Sequence, residues 1–86
     1  MWHVETTPAF DKALANLDKS VQRRVISYLE EIGARDDPRT RGKGLTGYLA
    51  GYWRYRIGDY RLIAEIQDAR LVVIALTVAH RSDIYD

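Results

Sequence analysis

The chain has 86 residues, 47% of them hydrophobic and 29% charged, with a net charge of +1 and no cysteine. That length predicts one domain spanning 1–86 with a small core, and the composition excludes a disordered or collagen-like chain. The lack of cysteine excludes a disulfide framework, a zinc knuckle and a thiol nucleophile. No apolar run approaches the length of a membrane span, and Met1 to Asp18 shows no basic start followed by an apolar stretch. Together these predict a cytoplasmic protein with no membrane partner.

Trp2 and Val4 alternate with His3 and Glu5, which predicts a short opening strand with one apolar face. Thr6-Thr7-Pro8 offers a hydroxyl cap with proline just inside the first turn, and Phe10, Ala13, Leu14 and Leu17 follow at helical spacing, so a first helix is expected from Pro8 to Leu17. Asp18 reads as the cap of a second helix. Its apolar stripe is Val21, Val25, Tyr28, Leu29 and Ile32, and Gly33 reads as its stop. Two helices so closely joined predict an antiparallel hairpin. Ala34 to Gly44, polar and broken by proline and glycine, reads as a structureless loop of the length that tends to carry function.

Beyond Gly51 the period becomes two. Trp53, Tyr55 and Ile57 alternate with Tyr52, Arg54 and Arg56, and Gly58-Asp59 makes a tight turn. A strand from Tyr60 to Ile66, a turn over Gln67 to Arg70 and a strand from Leu71 to Val78 follow, with Val72, Ile74, Leu76 and Val78 expected on one side. Short connections make this an antiparallel three-strand meander, with one face packed on the helices and the other free to stay solvated. The fold class is therefore α+β.

Charge is unevenly placed. Residues 35–61 carry seven basic side chains against three acidic ones, whereas the segments on either side are net acidic. Six of those seven bases are arginines, whose planar fork suits phosphate and carboxylate, so an anionic partner is expected.

Strand alternation places Arg54 and Arg56 on one face, opposite Trp53, Tyr55 and Ile57, and Arg61 joins them if Tyr60, Leu62 and Ile66 face the helices. Such a cluster either receives an anion or consists of solvated arginines paired with Glu65 or Asp59. After the last strand, Ala79 to Asp86 adds Arg81, His80 and Tyr85; on position alone His80 is an ordinary surface histidine and Tyr85 a ring packed on the sheet edge. His3 and His80 are too few for a metal site without a carboxylate cluster, and none is predicted. Gly42-Lys43-Gly44-Leu45-Thr46-Gly47 matches G-x-G-x-x-G literally. It follows a polar loop rather than a strand, so it is rejected as a dinucleotide site.

Gly51 to Ile63, followed by Val78 to Tyr85, closely resembles the signature of the RelE/ParE toxin superfamily, and the similarity covers almost the whole chain. The resemblance implies a RelE-like fold and the toxin of a type II toxin–antitoxin pair. It also implies a cognate antitoxin as partner and, for the RelE branch, cleavage of messenger RNA in the ribosomal A site without a metal or small-molecule cofactor. Carried over by position, it implies Arg61, Arg81, Tyr85 and His80 as catalytic residues and Arg54, Arg56 and Lys43 as RNA-binding ones. Tyr85 would be the base, Arg61 and Arg81 would hold the scissile phosphate, and His80 would be the substitute acid or base. The pair matching Arg54 and Arg56 is lysine in the best-known RelE toxins, which keeps charge but changes geometry. Two other readings remain open: a ParE-like toxin that poisons DNA gyrase without hydrolysis, and a degenerate toxin that only binds its antitoxin.

Overall fold

The structure, a computed structural model, describes residues 1–84. In chain order it contains β1 (His3–Thr6), α1 (Pro8–Ala15), α2 (Lys19–Ala34), β2 (Lys43–Gly44), β3 (Trp53–Ile57), β4 (Tyr60–Gln67) and β5 (Val72–His80), with single 3₁₀ turns at Pro38–Thr40, Gly47–Leu49 and Asp68–Arg70. The strands form one sheet in the order β1-β5-β4-β3-β2; the meander β3-β4-β5 is antiparallel, and β1 lies parallel to β5.

Thr7 explains how α1 starts and where it docks. Its hydroxyl accepts the Phe10 N–H at 3.1 Å, an N-cap, and lies 3.1 and 3.2 Å from the Leu76 and Ala75 carbonyls, to which it can donate. Those carbonyls sit where β5 bulges: Ile63 pairs with Thr77 but Ala64 pairs with Ala75, so Leu76 has no partner across the ladder. The hydroxyl thus ties the helix to carbonyls at the bulge. Asp18 occupies the cap position of α2 but makes no side-chain cap bond.

Core residues come from one sheet face and both helices. Phe10, Val21, Val25, Leu29 and Ile32 meet Tyr55, Ile57, Leu62, Ala64, Val73, Ala75 and Val78 in one cluster. The expected β5 stripe of Val72, Ile74, Leu76 and Val78 is corrected here. The bulge inserts one residue, so Val73 and Ala75 face the helices before it and Val78 after it. Leu71 lies outside the strand in a left-handed conformation, φ 53°, that ends the preceding turn.

Gly33 is not a stop. Helix α2 runs through Ala34, and the missing side chain lets β1 approach: a Cβ there would lie 3.1 Å from Val4 Cγ2 and 3.3 Å from the Trp2 carbonyl. The Trp2 N–H donates to the Gly33 carbonyl at 3.0 Å.

The segment read as a structureless loop is held by three aromatic donors. Trp2 Nε1 donates to the Asp36 carbonyl at 2.9 Å, the buried Tyr55 hydroxyl to the Pro38 carbonyl at 2.7 Å, and Trp53 Nε1 to the Arg41 carbonyl at 2.7 Å. Its last residues form β2, in which Lys43 pairs with Arg54 and Gly44 with Trp53. Composition hides this, because the partners that order the segment lie elsewhere in the sequence.

Candidate nucleic-acid interface

The face of the sheet turned away from the helices carries the basic side chains. Register places Lys43 opposite Arg54 and Arg56 opposite Arg61, so all four project from the same side. This face is not simply solvated, as expected from the sequence: Arg61 is only 4% exposed and Ile63 only 7%. Arg61 folds back on the β3–β4 turn, where its Nη1 donates to the Gly58 and Tyr60 carbonyls, both at 3.1 Å. Among the described residues its Nε has no hydrogen-bond partner. It pairs with neither Glu65 nor Asp59.

Lys43, Arg54 and Arg56 line a groove of about 490 Å³ together with Tyr28, Arg41 and Gly42 among the described residues. Gly42 makes this possible. At φ +83° its Cα faces the Trp53 indole and the Arg54 carbonyl so closely that an added Cβ would lie 2.4 and 2.5 Å from them. The glycine of the rejected motif therefore seats β2 against β3 rather than cradling a phosphate.

Arg41 crosses the Tyr28 ring, 5.8 Å from its centroid, and Arg39 crosses Trp53 at 5.9 Å. Burial raises the Tyr28 phenol above its ordinary range, against the opposing pull of Arg41, so at neutral pH it is a donor rather than a phenolate. Arg41 and Tyr28 are additions to the sequence-derived set. Arg41 was legible only as part of the basic segment, and Tyr28 reads as one more apolar residue of the α2 stripe.

The other predicted residues are placed as follows. Arg81 follows β5 beside the β3–β4 turn; its N–H donates to the Asp59 carbonyl at 2.7 Å, and its exposed side chain comes 3.9 Å from the Asp59 carboxylate. Arg61 and Arg81 therefore meet at one turn, and Arg56 links that turn to the groove. His80 does not join them. It pairs in register with Tyr60, stacking edge-on at 5.4 Å, and so projects from the helix-covered face, opposite Arg61. Its Nδ1 accepts the Ser82 N–H at 3.2 Å, which leaves the proton of the neutral ring on Nε2. Tyr85 lies outside the described residues. Among the described residues no group of three or more histidine, aspartate or glutamate side chains is placed to hold a metal ion.

Most other arginines of the basic segment are neutralised. Arg35 and Arg41 both reach Glu31, at 3.0 and 2.9 Å, and Arg39 makes a two-bonded fork with Asp68 at 2.8 and 2.9 Å. That fork holds the Asp68 carboxyl below the usual carboxylate range. Lys43 and Arg56 have no carboxylate within ion-pair distance among the described residues.

A sheet of this topology under two helices is the fold of the RelE toxin structures. The family model described as the ParE toxin of the type II toxin–antitoxin system parDE matches residues 4–85. The chain belongs to this RelE/ParE superfamily of type II toxins.

Its relatives lie on the RelE side. It is 38% identical over 65 residues to toxin RelG of Mycobacterium tuberculosis, covering 72% of this chain and 75% of that one. The RelBE2 toxin–antitoxin complex of M. tuberculosis superposes with a TM-score of 0.86 at 30% identity, over 93% of this chain and 98% of the other. A chain of the archaeal RelE–RelB complex of Pyrococcus horikoshii superposes with a TM-score of 0.74 at 26% identity, over 96% and 98%.

Proposed function

We propose that this protein is a RelE-type endoribonuclease that cuts messenger RNA in the ribosomal A site of the cytoplasm and is held inactive by a cognate RelB-like antitoxin. The observation that carries the reading is the groove lined by Arg41, Lys43, Arg54 and Arg56 with the Tyr28 phenol, a convergence of four basic side chains. A cationic groove of this kind fits a phosphodiester, whose oxygens accept from guanidinium forks and an ammonium.

In the proposed reaction the 2′-oxygen of the RNA attacks the adjacent phosphorus and the bond to the leaving 5′-oxygen breaks, leaving a 2′,3′-cyclic phosphate and a 5′-hydroxyl. One proton leaves the 2′-hydroxyl and one reaches the 5′-oxygen. Lys43, Arg54 and Arg56 hold the backbone in line, and the cations oppose the charge that builds on the non-bridging oxygens. Arg81, exposed at the rim of the β3–β4 turn, is assigned to the leaving-group side. Arg61 acts from behind: its Nη1 is committed to two turn carbonyls, so it contributes positive potential and fixes the turn that carries Arg81. The base role is assigned to Tyr85 by its position in the family signature, as a phenolate. His80, on the opposite face, keeps only the part of substitute. The attack needs a 2′-hydroxyl, so DNA is inert. An acidic antitoxin segment laid over the groove would neutralise it.

The test is induction in a bacterial host, with primer extension across a translated message. Cuts within the coding region, lost in an R54A/R56A variant, support the reading. An intact message with gyrase-dependent DNA breaks would assign the ParE activity instead, and unimpaired growth would assign a toxin reduced to antitoxin binding.

A further inference from the structure

We propose that the RNA track does not end at Arg56 but turns around the edge of β3 onto the amino-terminal half of α2, where Arg23 and Arg24 hold the backbone of a flanking stretch of the same strand. This rests on the ribonuclease reading and extends it to nucleotides outside the reacting dinucleotide.

A second groove, also of about 490 Å³, lies between α2 and the end of β3. It shares Arg56 and Tyr28 with the first, so the two form one continuous path. Its α2 wall is Ser20, Arg23, Arg24 and Ser27, a spacing of three, four and seven that lines up one helix face. The path is open because β2 pairs only with Trp53 and Arg54 and leaves the rest of β3 as a sheet edge.

Two details make this face more than a set of solvated arginines. Among the described residues no ion pair engages Arg23, Arg24 or Arg56, whereas Arg35, Arg39, Arg41, Arg70 and Arg81 all have carboxylate partners. Among the described residues the one acid lining the groove, Glu31, is held by Arg35 and Arg41. Gly58 leaves room for Arg24: a Cβ on Gly58 would meet the Arg24 guanidinium, which lies over the hairpin turn in the groove that Arg56 also lines. Like charges lining one groove repel unless an anion lies between them.

The occupant this chemistry favours is a phosphodiester chain rather than an acidic peptide. A docked protein helix needs a row of apolar anchors, and here Ile57 is only 5% exposed while the exposed Ile26 lies in an adjoining groove that shares Arg23 and Ser27, so cations outnumber apolar contacts along the path. Arginine forks and the Ser20 and Ser27 hydroxyls are the donors that phosphate oxygens take.

The experiment measures equilibrium binding of the purified protein to uncleavable 2′-O-methyl RNA, once as a trinucleotide and once as a strand long enough to span both grooves, across a salt series. For R23Q/R24Q the expected result is roughly tenfold weaker binding of the long strand. Its salt slope should fall by about 1.4, from about 0.7 per lost single-strand phosphate contact, with no change for the trinucleotide. R23K/R24K keeps the charge and should restore the slope. Wild-type binding of the long strand by R23Q/R24Q overturns the inference while leaving the first groove intact. So does weaker binding with an unchanged slope that the lysine variant fails to rescue, which would mark a structural effect of Arg24 on the turn. Loss of affinity for a glutamate-rich peptide but not for RNA would assign the face to an acidic protein and overturn the inference. A wild-type protein that binds neither RNA would remove the ribonuclease reading and this inference together.

Discussion

Replacing Gly42 by alanine tests whether β2 is seated by close packing, because Lys43 owes its place in the groove to that seat. Two costs add. A non-glycine residue at φ +83° costs about 1–2 kcal/mol. The new methyl would also sit 2.4 Å from Trp53 Nε1 and 2.5 Å from the Arg54 carbonyl, so β2 must lift and the 2.7 Å bond from Trp53 to the Arg41 carbonyl is lost, at about 0.5–1.5 kcal/mol. The expected loss is about 2–3 kcal/mol, which for a domain of this size lowers Tm by about 8–24 °C. Gly47 is the control. Its φ is +67° but nothing lies within 4 Å of an added Cβ, so G47A should cost only the backbone part. Thermal unfolding of the two variants, with hydrogen exchange at the Lys43 amide, reads the difference. Equal melting temperatures for G42A and G47A would refute the packing argument.

Tyr55→Phe removes the donor to the Pro38 carbonyl and should cost about 1–2 kcal/mol by thermal or urea unfolding, with faster exchange across residues 36–41; an unchanged midpoint would show that this bond does not hold the segment. Burial also raises the Tyr55 phenol well above its usual range. A raised folded-state value means that its stabilising contribution is complete below about pH 10 and is lost as pH climbs toward the folded value, so ultraviolet titration should find this tyrosine silent until the protein unfolds. Asp68 behaves in the opposite sense: held low by Arg39, it contributes stability above the ordinary aspartate range and loses it as pH falls through its folded value. Carbon-detected NMR titration should place it below a free aspartate, and R39Q should return it to the ordinary range.

How much was legible depended on whether a residue's surroundings are local in sequence. The existence of the two helices, the Gly58-Asp59 turn and the shared face of Arg54 and Arg56 follow from spacing alone, although α1 ends at Ala15 rather than Leu17. The β5 stripe failed because one extra residue at Leu76 inverts the parity of everything beyond it, and no composition signal marks a bulge whose carbonyls are met by Thr7. Arg61 was legible as a residue on the basic face but not as a buried one, because its burial comes from folding back onto its own turn. His80 follows the last core residue, Val78, by two positions and so shares its face, a consequence visible only once β5 is known to reach His80. The seat of β2 depends on contacts between Gly42 and Trp53, which a single-residue propensity cannot carry.

The most direct test of the central claim, that the cationic groove positions RNA for cleavage, is single-turnover cutting of ribosome-bound message by purified protein. The wild type should cut within codons, and R54A/R56A should cut about 10²-fold more slowly with an unchanged Tm. A variant that cuts at the wild-type rate, or a wild type that leaves the message whole, would contradict it.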